Sequence, residues 1–136
     1  MSDKELIQIA HKARAMSYSP YSGFSVGAAL LCKSGKVYMG CNIENSAYSP
    51  SNCAERTAFF TAVCAGEHEF EKIAVVGAKH GESAEAPCAP CGVCRQVMLE
   101  FCDPEIFSVV LQNGNDTRSY LLKELIPASF TSDNLK

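Results

Sequence analysis

Apolar and polar residues recur along the chain with two periods, one typical of helices and one typical of strands. A helix near the N-terminus is predicted by apolar residues on one of its faces, namely Leu6, Ile9, Ala10, Ala13 and Met16. Ser2 and Glu5 have the spacing of a capping box at its start. We expect this helix to end before the loop SYSPYSGF, residues 17–24.

Strand and helix patterns alternate through the rest of the chain. Four strands are predicted, for FSVGAALLC, KVYMGCNIE, KIAVVGA and FSVVLQN. The first two flank the turn Ser34-Gly35 and are expected to form a hairpin. Two helices are predicted, for CAERTAFFTAVCAG and GVCRQVMLEFC. Near the C-terminus NGND indicates a turn, and SYLLKELIP is compatible with a further short helix.

This order of elements predicts an α/β domain in which a mixed β-sheet is layered with helices on its faces. The hairpin supplies antiparallel pairing, and helices connect the later strands. The 136 residues fit one domain, residues 1–136, and contain no internal repeat or linker.

Composition and charge narrow the range of functions. Apolar residues make up 47% of the chain and charged residues 20%, with a net charge of -3, so the chain lacks the basic surface that nucleic-acid binding requires. No apolar run approaches the roughly 18 residues of a membrane span, and charges interrupt the apolar positions of the N-terminus. We therefore expect a cytoplasmic protein that binds neither nucleic acid nor membrane.

The chain contains eight cysteines, which fall into two groups. Their density is below that of small disulfide-rich secreted proteins, so metal binding or catalysis is favoured. Cysteines that stand singly in apolar stretches are expected to be core residues: Cys32, Cys41, Cys64 and Cys102. The second group is Cys53 and the run PCAPCGVCRQ, which contains PCxxC in two overlapping registers.

Cys53, Cys91 and Cys94 each lie within about one turn of a predicted helix N-terminus. Helix N-termini carry unpaired N–H groups and partial positive charge, which stabilise thiolates. Cys53 is followed by Ala54 and Glu55, so CAE and PCxxC together match the signature of zinc deaminases. Three protein ligands leave a fourth zinc position for water, and a neighbouring carboxylate can move protons.

Longer stretches extend this match over nearly the whole chain. GCNIENSAY, CAERTA, PCGVCRQVM and ELIPASF resemble the small homotetrameric cytidine deaminases, which convert cytidine and deoxycytidine to the uracil nucleosides. The family's downstream run is PCGxCRQ, so the resemblance implies that Cys53, Cys91 and Cys94 hold Zn2+ and that Cys88 is extra. It also implies hydrolytic deamination by water in pyrimidine salvage, with Glu55 as the residue that transfers protons.

A substrate pocket is implied by the same resemblance. Asn42 and Glu44 alternate at the end of a strand, so they point to one face, and they are expected to hold ribose hydroxyls. The carboxylate would repel a nucleotide phosphate, which favours free nucleosides. Further implied contacts are the Phe24 ring, the Ala54 N–H, the Pro90 carbonyl and, from neighbouring subunits, Tyr48 and Phe130. Ser46 stands where alanine is common, which leaves its contribution open.

Two arginines are close to these cysteines in sequence. Arg56 is three residues after Cys53 and therefore on the same helix face, so we expect it to donate hydrogen bonds to the sulfurs and offset their charge. For Arg95, an exposed or structural ion pair is at least as well supported as a contact with the sulfurs.

Three other interpretations stay open. Cys88 would complete a closed, structural four-cysteine zinc site in a non-catalytic binding module. Glu55 also has capping-box spacing with Asn52. A CxxC pair occurs in thioredoxin-like redox proteins as well, although that role explains neither Glu55 nor Cys53.

Overall fold

We describe residues 1–136 from a computed structural model, in which a five-stranded mixed sheet separates two helical layers. The strands are β1 (Phe24–Cys32), β2 (Val37–Cys41), β3 (Phe70–Lys79), β4 (Ser108–Asn113) and β5 (Asp116–Leu121). Their order across the sheet is β2-β1-β3-β4-β5. The pairing of β3 with β4 is parallel, and the other three pairings are antiparallel. The predicted fold class, a mixed sheet layered with helices, is confirmed.

Helices cover both faces of this sheet. They are α1 (Asp3–Arg14), α2 (Ala54–Cys64), α3 (Gly92–Phe101) and α4 (Leu122–Leu125), followed by a 3-10 helix (Ser132–Leu135). Residues of α1 share one apolar core with one face of the sheet, whereas α2, α3 and α4 share the larger core on the opposite face. None of these helices combines the length and the apolar character that crossing a membrane requires.

The N-terminal helix begins as predicted and ends earlier than its apolar pattern indicated. The Ser2 hydroxyl accepts the Glu5 N–H at 3.1 Å and the Glu5 carboxylate accepts the Ser2 N–H at 2.8 Å, which completes the capping box. Because α1 ends at Arg14, Met16 lies beyond the helix and its side chain is 71% exposed. Placing Met16 on the buried face was therefore wrong.

The C-terminal third contains a strand that the sequence did not predict. After the turn at NGND, β5 pairs antiparallel with β4 along its whole length. Only Leu122–Leu125 of the stretch SYLLKELIP is helical, and the residues before it belong to β5. The strand DTRSYL forms an edge of the sheet and buries little, so its polar sequence carries no strong strand pattern.

The isolated cysteines are less uniform than predicted. Cys32 and Cys102 are buried in the core, and Cys41 is half-buried. Cys64 is exposed, so its assignment to the core was wrong. It is the last residue of α2, whose side in contact with the sheet carries Ala54, Ala58 and Ala62 instead.

Backbone contact between α2 and β2 fixes where α2 begins. A Cβ placed on Gly40 of β2 would lie 2.2 Å from the Ala54 carbonyl oxygen and 2.5 Å from the Ala58 nitrogen. Only glycine therefore allows the helix backbone to rest directly on the strand. The first turn of α2, which follows Cys53, is held at a defined height above the sheet.

We expect Gly40→Ala to lower the free energy of unfolding by about 2 kcal/mol or more, because the added methyl group must push α2 away from the sheet. Gly92→Ala is the matched control, since its Cβ would meet no atom within 4 Å, and we expect it to change stability by less than about 1 kcal/mol. Urea unfolding at one fixed protein concentration measures both. Equal stability of the two variants would contradict the close approach.

Candidate active site and metal centre

Two helix N-termini meet on the same face of the sheet. Cys53 is the N-cap residue of α2, Cys91 is the N-cap residue of α3, and Cys94 lies in the first turn of α3. Neither helix has a side chain that caps its first N–H groups. Both N-termini therefore contribute partial positive charge next to the sulfur atoms.

The three sulfur atoms form a cluster with the dimensions of a metal site. All lie within 4.8 Å of one another, with Sγ–Sγ distances of 3.7 Å between Cys53 and Cys91 and 3.5 Å between Cys91 and Cys94. Tetrahedral zinc with bonds of about 2.3 Å to sulfur requires separations of about 3.8 Å. The cluster therefore fits the donor set and the size of a zinc centre, and it leaves one tetrahedral position to a non-protein ligand.

Arg56 supplies positive charge to this cluster. Its Nη2 donates a hydrogen bond of 3.2 Å to the Cys53 sulfur. The hydrogen bond from the Cys94 thiol, with those from Arg56 and Cys91, lowers the pKa of Cys53. The Nε of Arg56 is buried without a hydrogen-bond partner in the chain. These donors favour the thiolate form of Cys53.

Glu55 is a buried carboxyl group beside the cysteines. Its exposed fraction is only 4%, and burial raises its pKa to about 7. The capping-box interpretation fails because the Asn52 N–H bonds to the Ile43 carbonyl, and the Asn52 side chain donates to Thr57. The helix also begins one residue later, with Cys53 as its N-cap. Glu55 therefore does not cap the N-terminus of α2.

Asn42 ties the start of β1 to the end of β2. Its Nδ2 donates to the Phe24 carbonyl at 2.8 Å, and its Oδ1 accepts the Val26 N–H at 2.9 Å. The Ser17 hydroxyl donates to the same Oδ1. These contacts use both lone pairs of the oxygen and one N–H, so the amide can offer one further N–H to a ligand.

Glu44 is held by the loop that precedes β1. Its Oε1 accepts the backbone N–H groups of Tyr21 and Ser22, each at 3.0 Å, and its Oε2 accepts the Ser22 hydroxyl. These hydrogen bonds, that of the Ser22 hydroxyl foremost, lower the pKa of Glu44. The carboxylate lies in a surface depression of about 330 Å³ that also includes Tyr48 and Ser51.

Sequence reasoning missed Ser17 and Ser22 as partners of Asn42 and Glu44. The only available signal was the concentration of serines in SYSPYSGF, next to the implied Phe24. That pattern identifies a loop and names no partner, because the contacts join residues more than twenty positions apart.

Ala54 directly follows Cys53, Pro90 directly precedes Cys91, and both residues are buried. The Pro90 carbonyl accepts a hydrogen bond of 2.8 Å from Arg95 Nε, and Arg95 Nη1 donates to the Leu125 carbonyl. Arg95 therefore forms no ion pair and is half-buried, which excludes both of the alternatives stated for it. It instead connects the loop before α3 to the C-terminal segment.

Three of the implied pocket residues lie at the surface of the chain. Ser46 is exposed, and Tyr48 is 72% exposed with its ring packed edge-on against Tyr21 at a centroid distance of 6.1 Å. The Phe130 ring is 58% exposed, while its backbone carbonyl accepts a hydrogen bond of 2.8 Å from Gln96. These rings are available to contact other molecules.

Cys88 does not belong to the metal-binding cluster. Its sulfur lies 2.7 Å from the position that a Cβ on Gly77 would take, and the Phe24 ring borders the same position at 3.0 Å. Burial raises the pKa of Cys88 to about 11, so its thiol is neutral. A packed neutral thiol is unsuited to closing the site, and the four-cysteine interpretation is not favoured.

The chain matches the family model of the cytidine and deoxycytidylate deaminase zinc-binding region over residues 1–110. It belongs to the cytidine deaminase family. The matched residues include the whole sulfur cluster and Glu55. The family to which the sequence was likened is thereby confirmed.

Proteins named cytidine deaminase match this chain over nearly its whole length. A cytidine deaminase of Sporosarcina psychrophila is 46% identical over 135 residues, covering 99% of this chain and 96% of the relative. One from Halalkalibacterium halodurans is 44% identical over 137 residues, covering 99% and 98%. The crystal structure of a cytidine deaminase from Burkholderia pseudomallei is 50% identical, with a TM-score of 0.85 over 96% of this chain and 100% of that chain.

The two PCxxC registers give different metal contents in variants. We expect Cys88→Ala to keep one zinc per chain, because its sulfur lies outside the cluster. Cys94→Ala should lose the metal, because Cys94 belongs to the cluster and two sulfurs hold zinc far more weakly than three. Elemental analysis after gel filtration measures both. Loss of zinc from Cys88→Ala with retention in Cys94→Ala would establish the upstream register, which pairs Cys88 with Cys91.

Proposed function

We propose that this chain is a zinc-dependent cytidine deaminase that hydrolyses cytidine and deoxycytidine to uridine and deoxyuridine plus ammonia. The observation that carries the proposal is the buried Glu55 beside three converged cysteine sulfurs, in a chain of this family. In a cell the reaction would serve pyrimidine salvage in the cytoplasm. The substrate is a free nucleoside and not a nucleic acid, consistent with the net charge of -3.

Cys53, Cys91 and Cys94 are the proposed zinc ligands. Three thiolates around a dication leave one net negative charge, which the Arg56 hydrogen bond and the two helix N-termini offset. Zinc bound there supplies a Lewis acid that makes water a stronger nucleophile near neutral pH.

Glu55 is the proposed proton carrier. It accepts a proton from water as the water oxygen bonds to C4 of the cytosine ring, and it donates this proton to ring nitrogen N3. It then takes the remaining proton from the new hydroxyl and gives it to the amino group. The C4–N bond breaks, ammonia leaves, and C4 becomes a carbonyl carbon. Burial of Glu55 keeps bulk water from competing for these protons.

Asn42 and Glu44 are the proposed ligands of the sugar. The remaining Asn42 N–H is a donor and the Glu44 carboxylate is an acceptor, which together complement a hydroxyl group that both accepts and donates. Phe24 is tied to Asn42 through its backbone and would form a wall for the base. The Ala54 N–H, at the start of α2, would bind the pyrimidine oxygen, and the Pro90 carbonyl would bind the amino group.

A homotetramer with pockets shared between subunits would place the exposed residues Tyr48 and Phe130 in neighbouring sites, and would leave the contribution of Ser46 open. The chain has the surface for such contacts, because an open groove of about 610 Å³ lies along the outer side of α2. Ile43 and Phe60, both nearly half exposed, line it. Exposed apolar side chains grouped in this way are typical of protein interfaces.

An absorbance assay with cytidine tests the proposed activity, and Glu55→Gln tests the mechanism. We expect the wild type to convert cytidine to uridine, and Glu55→Gln to retain zinc and fold while kcat falls about 100 to 10,000-fold. Glu67→Gln is the matched control, because Glu67 accepts hydrogen bonds from Ser34 and Tyr38 and is not part of the sulfur cluster. This variant should keep its activity. Near-normal turnover by zinc-loaded Glu55→Gln would refute the assigned role.

Substrate class follows from Glu44. Cytidine should react far better than cytidine monophosphate, because no ion pair joins Glu44 to a cation that would offset the repulsion of a phosphate. Free cytosine should also react poorly, since it leaves the hydroxyl-binding groups unpaired, a loss worth up to about 10,000-fold. Glu44→Gln should narrow the gap between cytidine and its monophosphate. Equal wild-type kcat/KM for those two substrates would remove Glu44 as the selector.

A further inference from the structure

Ser22 donates hydrogen bonds to both oxygens of the Glu44 carboxylate. Its backbone N–H donates to Oε1 at 3.0 Å, and its hydroxyl donates to Oε2. The N–H of Tyr21 donates to Oε1 at 3.0 Å as well. Two consecutive residues thus provide three donors to one carboxylate, and only the Ser22 hydroxyl reaches the second oxygen.

The orientation of this hydroxyl is itself fixed by the backbone of β1. The Ser22 oxygen accepts the Phe24 N–H at 3.0 Å. A hydroxyl has one proton, and the nearer of its two acceptors is Glu44 Oε2, since the Phe24 carbonyl oxygen lies 3.4 Å away. The Ser22 side chain therefore links the carboxylate to the first residue of β1.

No cation takes part in holding Glu44. The four ion pairs of the chain involve Lys4, Lys72, Lys123 and Lys136, and none of them includes this carboxylate. Its plane depends on neutral donors alone. Without the Ser22 hydroxyl, the two N–H groups would hold only Oε1, so the plane of the carboxylate could tilt about that oxygen and shift Oε2.

We infer that Ser22 is a positioning residue, which sets the plane of the Glu44 carboxylate for a sugar hydroxyl. This inference rests on the proposed nucleoside deaminase function. Sugar contacts are made in the ground state and persist through the reaction at the base, so loss of their alignment weakens binding and leaves the chemical step intact. The role is specific to the hydroxyl of Ser22, because any residue at position 22 except proline retains the backbone N–H.

Kinetics of Ser22→Ala with cytidine test the inference. We expect KM to rise roughly 5- to 20-fold, less than the loss of a direct hydrogen bond to a charged group would cause because two N–H donors still hold Oε1, with kcat changed less than about twofold. Ser22→Thr keeps a hydroxyl and should restore most of the affinity. Ser34→Ala is the matched control, because Ser34 also donates to a glutamate, Glu67, at 2.9 Å and lies in the turn between β1 and β2.

A double-mutant cycle distinguishes an effect of Ser22 on the Glu44 carboxylate from an effect of Ser22 on the Phe24 backbone. In a Glu44→Gln background, Ser22→Ala should add little further increase in KM, because the carboxylate that it positions is gone. A full additional increase would show that Ser22 acts through the Phe24 backbone, and would overturn the inference. A fall in kcat with unchanged KM would overturn it too.

A readout that does not need catalysis is the carboxyl ¹³C titration of Glu44 in glutamate-labelled protein. We expect its midpoint to move to higher pH in Ser22→Ala and to stay in place in Ser34→Ala, because one donor to the ionised form has been removed. An unmoved midpoint with normal cytidine turnover would overturn the role of Ser22 alone. Absence of turnover by the wild type would overturn the proposed function, and with it the sugar role of Ser22.

Discussion

Direct backbone packing of α2 on β2 is the constraint on which the site depends. Gly40 lets the first turn of α2 rest on the sheet, and this turn carries Ala54 and Glu55 directly after Cys53. The parallel pairing of β3 with β4 requires a crossover, and that crossover carries α3 on the same face of the sheet. The starts of two helices that are distant in sequence are thereby brought together, so that the sulfurs of Cys53 and Cys91 lie 3.7 Å apart.

Where the two helix N-termini meet, positive and negative groups are packed close together. Thiolates favour a cation, and the helix N-termini and Arg56 keep those thiolates from being too strongly negative. Glu55 sits in the same region but is buried, so that its anionic form is destabilised. The surroundings therefore favour the ionised form of Cys53 and the protonated form of Glu55, two residues away. The spacing of Cys53 and Glu55 within one helical turn makes this contrast possible.

Local sequence predicts the parts of the site that lie within one turn of helix, and misses the parts assembled over long distances. CAE and PCGVCRQ each lie at the start of one predicted helix, whereas the meeting of their cysteines was implied by the resemblance to a known family. The bonds from the loop SYSPYSGF to Asn42 and Glu44 depend on how a loop folds over a strand end, and no periodicity records that. The strand β5 was missed for a related reason, because an edge strand with mostly exposed residues has no apolar alternation. Met16 and Cys64 were misplaced because apolar periodicity does not fix the last turn of a helix.

The first turn of α3 also anchors the C-terminal segment, through Arg95 to the Leu125 carbonyl and through Gln96 to the Phe130 carbonyl. Two residues that directly follow Cys94 thus hold the chain thirty or more positions later. The end of the chain is consequently an extension of the sulfur-bearing helix and not an independent tail. For protein engineering, a fusion partner attached after Lys136 would apply its strain to this helix turn, whereas an attachment before Met1 would act on the opposite face of the sheet.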